Sequence, residues 1–154
     1  MVSRYKPGDP FYEVSEAFFT KGNRFLASPV TLFEIYSVIS RVDFEAALPG
    51  AADPDTLAGF ILEDCHLEVI SRPRLAVLEG VGRKDLLIPL EYLVAARIAS
   101  GVRLRALDLL HIAYASMLGE DIDGFVTCDE EILRKRREIR RASGVEAISL
   151  KEVA

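Results

Sequence analysis

Apolar positions along this chain alternate between short continuous runs and stripes at helical spacing. RFLAS (Arg24 to Ser28), LEVIS (Leu67 to Ser71), GFVTC (Gly124 to Cys128) and EAISL (Glu146 to Leu150) are short, apolar and bounded by polar or turn residues. That is how buried strands read. Between them Phe11, Val14, Phe18 and Phe19 recur at helical intervals across Pro10 to Thr20. Ser28-Pro29 and Asp53-Pro54 each join a capping oxygen to a proline at the first helical position, so helices start there, the second running to about Asp64. Leu90 to Ser100, Leu104 to Leu118 and Asp129 to Arg141 complete the helical set, closed near Gly101, Gly119 and Gly144. Arg72 to Arg83 reads as a moderately long loop with scope for motion.

Strands alternating with helices of this length predict an α/β fold, with a parallel sheet between two helical layers. In such sheets sites form beyond the carboxyl ends of the strands. Asp129 directly follows GFVTC, and the helix carrying Glu34 directly follows RFLAS, so both are expected on that edge.

With 154 residues, half of them apolar, the chain is expected to form a single domain over residues 1–154. Charges interrupt every long apolar stretch and MVSRYKPGDP lacks the apolar core of a signal peptide, so the expected setting is the cytoplasm, with no membrane partner. Cys65 and Cys128 stand far apart without CxxC spacing, as reduced thiols do. A net charge of −5 argues against nucleic-acid binding by overall charge alone. The charge is uneven, however: LRKRREIRR (Leu133 to Arg141) carries six basic residues and one acid. It reads either as a solvated helix face or as a phosphate-contacting patch built on Arg134, Lys135, Arg137 and Arg141.

Three carboxylates sit where charge is expensive. Glu34 lies in SPVTLFEIYSVIS, a helix apolar nearly all round, which predicts that it is buried or faces a cleft. Its plain alternative is an ion pair with an arginine such as Arg41. Asp108 lies in LRALDLLHIAYASML, where a helix N-cap is the competing explanation. Asp129 and Glu131 open the last helix, where acids also favour the positive end of the dipole. Taken together, acids converging from separate elements repel one another and raise one another's pKa unless a cation intervenes. Clustered carboxylates bind Mg²⁺ or Mn²⁺ and leave positions for water and phosphate. His66 and His111 have no second ligand at zinc spacing, and the chain contains no GxGxxG, P-loop or GxSxG motif.

SPVTLFEIYSVISR, then LRALDLLHIAYASMLG, then FVTCDEEIL, in that order and spacing, resembles the PIN domain, the nuclease fold of VapC-type toxins in toxin–antitoxin pairs. The likeness runs from about Pro7 to Leu150. It implies a three-layer α/β/α sandwich and Mg²⁺- or Mn²⁺-dependent hydrolysis of RNA. In it Glu34, Asp108 and Asp129 match the second, third and fourth acids of the metal-binding quartet. Thr127 matches the hydroxyl residue at the strand end, and Glu131 sits where many members carry an extra acid. An antitoxin protein and a homodimer partner are implied too, with aromatic-bearing helices such as Phe11 to Phe19 as a possible interface. One departure stands out: the family's first, central strand, ending in Asp-Thr or Asp-Ser, has no counterpart here, and Asp9 is not its match. Two expectations follow. One is an endoribonuclease toxin, its missing strand explained by a start codon upstream of this chain; the alternative is a truncated or degenerate, non-catalytic PIN-like module that binds a protein or RNA.

Overall fold

The computed structural model describes residues 2–6, 8–41, 53–71, 74–81 and 84–154. They form two compact units, one of residues 1–71 with Ala154 and the other of residues 72–153. Both mix helix and strand, so the fold is α/β. No helix among the described residues is long and apolar enough to cross a membrane.

The first unit contains α1 (Tyr12–Phe19), β1 (Phe25–Ala27), α2 (Pro29–Ile39), α3 (Pro54–Asp64) and β2 (Leu67–Val69), preceded by a 3-10 turn over Val2–Tyr5. The two proline-led helix starts form as their sequence predicts. The Ser28 hydroxyl accepts the Thr31 amide at 3.3 Å, and Asp53 Oδ1 accepts that of Thr56 at 2.9 Å. These side chains satisfy amides that have no partner inside the helix. β1 and β2 pair in parallel, with Leu26 opposite Glu68. Phe18 and Phe19 of α1 are buried and pack on Phe25, the first tilted and the second edge-on, with ring centroids 4.6 and 5.2 Å away. Of the aromatic residues considered above for a dimer interface, Phe18 and Phe19 are thus buried within this unit. The other helices pack through Ile35 and Ile39 of α2 against Leu57, Ala58 and Ile61 of α3.

The second unit begins with a hairpin, β3 (Leu75–Val81) and β4 (Lys84–Pro89), followed by α4 (Leu90–Val102) and α5 (Ala106–Leu118). Then come β5 (Phe125–Thr127), α6 (Glu130–Arg134), α7 (Arg136–Ser143), β6 (Ala147–Ser149) and α8 (Leu150–Val153). The hairpin corrects the expectation of a loop over Arg72 to Arg83, because Leu75 to Val81 is strand. Its pairing is antiparallel, with a shift between Leu78 and Val81 where Gly80 adopts φ +72°. That left-handed residue, and the glycines and charges around it, hid the strand alternation in the sequence. Leu75, Val77 and Leu87 leave one apolar side of the hairpin exposed.

β5 and β6 pair in parallel, with Val126 opposite Ile148. Strand pairing among the described residues thus forms three separate two-stranded ladders, two parallel and one antiparallel. The core of this unit joins Ile98 and Val102 of α4, Leu109, Ile112 and Ala113 of α5, Ile132 of α6 and Ile139 of α7. The helix expected over Asp129 to Arg141 is broken at Lys135, whose amide bonds back to the Ile132 carbonyl at 3.0 Å in a 3-10 step.

Candidate acidic site at the carboxyl end of β5

β5 ends at Thr127, and the chain turns at once into α6. The Thr127 hydroxyl oxygen accepts the Asp129 amide at 3.0 Å. Asp129 then caps α6: its Oδ1 accepts the amides of Glu131 at 2.7 Å and Ile132 at 3.2 Å. The local alternative weighed for Asp129, an acid at a helix start, is therefore real, yet it engages only one carboxylate oxygen. Oδ2 has no part in these two bonds.

Asp108 is not an N-cap. Arg105 occupies that position without a side-chain bond, and Asp108 lies in the first turn of α5, where the dipole favours an anion. The group is half-buried. Burial pushes its carboxyl above the usual carboxylate range, and the charges of Asp129 and Glu131 push it further. Arg105 and His111 pull the other way. An acid raised by other acids is an acid close to them. The start of α5 and the β5–α6 turn thus bring Asp108, Asp129 and Glu131 into one electrostatic neighbourhood.

Sequence reasoning did not foresee the cation already there. Lys135 Nζ lies 3.2 Å from Glu131 Oε1 and donates to the Arg103 carbonyl at 2.6 Å. Glu131 and Lys135 are four residues apart, a spacing that signals a helical ion pair. The signal was readable, but the run of basic residues suggested an outward-facing patch instead. Other members of that run divide differently. Arg136 pairs with Glu152 at 3.3 Å and Arg140 with Glu146 at 3.0 Å, while Arg134 Nε donates to the Glu130 carbonyl at 3.3 Å. Arg137 and Arg141 are exposed, one helical turn apart on α7.

Glu34 belongs to the first unit, and its expected burial is corrected: it is exposed, next to Phe33 at 71 % exposure. α2 buries one stripe, Val30, Ile35 and Ile39, and leaves the opposite side open although apolar residues lie on both. Arg41, weighed above as its partner, bonds to Ser37 through Nε at 2.8 Å. His111 stacks loosely on Phe125, with ring centroids 6.3 Å apart. Neither cysteine is in a disulfide, Cys65 being buried and Cys128 half-buried.

All donor atoms in the second-unit cluster are carboxylate oxygens, the chemistry that suits a hard divalent cation. Its members also have the mutual repulsion that such a cation relieves. Among the described residues, however, no group of three or more His, Cys, Asp and Glu side chains is arranged to hold a metal ion. A shallow cavity of about 340 Å³, lined by Ser116, Glu120, Asp123, Gly124 and Glu146, lies at the other end of β5. The electrostatic coupling of Asp108 to Asp129 and Glu131, rather than that hollow, marks the candidate site. No family model matches the chain, and no curated protein or solved structure matches it either.

Proposed function

We propose that the chain is a PIN-like, divalent-metal-dependent endoribonuclease of VapC type, acting in the cytoplasm as the toxin of a toxin–antitoxin pair. The observation that carries this reading is the electrostatic coupling of Asp108 to Asp129 and Glu131, which follow a parallel strand directly, with Asp108 held above its usual range by burial and by these acids.

In this reading Asp108 and the second oxygen of Asp129 would hold Mg²⁺ or Mn²⁺, with Glu131 as a further acid. A cation held there supplies charge neutralisation at a phosphodiester and makes water a better nucleophile. The chain's own groups do the positioning. Thr127 fixes the turn that aims Asp129, and the α6 cap bonds keep that carboxylate from rotating. Arg137 and Arg141 are the exposed basic residues best placed to meet RNA phosphates, joined by Arg134 at the end of α6.

The test is cleavage of a structured RNA with Mg²⁺, with and without EDTA. The expected result is metal-dependent cleavage that Asp108→Asn abolishes; cleavage unaffected by that substitution would refute the assignment. One observation favours the second reading, a non-catalytic module that binds RNA or a protein: one Asp129 oxygen is engaged in the cap and Glu131 is paired with Lys135. RNA binding without Mn²⁺ binding or cleavage would select it.

A further inference from the structure

We draw no further inference here: the strongest candidate, the exposed apolar side of the β3–β4 hairpin formed by Leu75, Val77 and Leu87, carries nothing because nothing in the structure shows what covers it.

Discussion

Replacing Asp108 by asparagine should stabilise the protein at neutral pH while removing the metal-dependent RNA cleavage proposed above. Asp108 is half-buried in the first turn of α5, and its ionised form is opposed by burial, by Asp129 and by Glu131. Arg105, His111 and the α5 dipole favour that form. Each like-charge contact between partly exposed groups is worth about 0.2–1 kcal/mol, and the dipole about 0.3–1 kcal/mol in the opposite sense. Since burial adds to the repulsion, the net gain expected from Asp108→Asn is about 0.5–1 kcal/mol. For a chain of this length that raises Tm by roughly 1–4 °C.

The pH dependence identifies the cause. Because the folded-state pKa of Asp108 is raised, its ionised form is destabilising above that pKa. The penalty fades as pH falls through the raised value toward the unfolded value of about 3.9. Thermal melts of parent and variant should therefore differ at pH 7 and converge near pH 4. Adding Mg²⁺ should shift the parent's melt upward more than the variant's, through preferential binding to the folded state. A lower Tm for Asp108→Asn at pH 7, or a difference that persists at pH 4, would falsify the account and mean that the dipole and Arg105 outweigh burial and repulsion.

Two further outcomes separate structural from chemical roles. Asp129→Ala should lose about 1 kcal/mol through the missing α6 cap, whereas Asp129→Asn keeps a capping oxygen and should retain most of that stability. Denaturant titration reads this difference, and both substitutions should weaken Mn²⁺ binding. Gly124→Ala should destabilise by about 1–3 kcal/mol. An added Cβ would lie 2.4 Å from Ile148 Cδ1 and 3.0 Å from the Glu146 carbonyl, and that carbonyl also accepts the Phe125 amide at 2.8 Å. Ile148 can rotate away and the carbonyl cannot, so an unchanged urea midpoint would contradict the observed close approach of β5 and β6.

Much of the architecture was legible along the chain. The four apolar runs became β1, β2, β5 and β6, because short apolar segments between turn residues have few other ways to bury themselves. Both Ser/Asp-Pro helix starts form with their caps, since these depend only on residues within one turn. The hairpin was not legible: Gly80, at φ +72°, and the shift in pairing between Leu78 and Val81 interrupt the period-two alternation of Leu75 to Pro89. Nor was the exposure of Glu34, because a helix apolar on several sides does not reveal which side its neighbours cover.

For the candidate site, local chemistry in the sequence was enough to pick out Asp108, Thr127, Asp129 and Glu131 and to predict a turn after β5. Folding alone brought the start of α5 into electrostatic reach of that turn, so that the charges of Asp129 and Glu131, with burial, raise the Asp108 carboxyl. It also turned Lys135 inward to the Arg103 carbonyl, converting one member of a basic run into the partner of an acid. Caps and periodicity act within a few residues and can be read in order. The meeting of charges from segments some twenty residues apart depends on how α4, α5 and α6 pack around Ile98, Ile112 and Ile132, which no local pattern encodes.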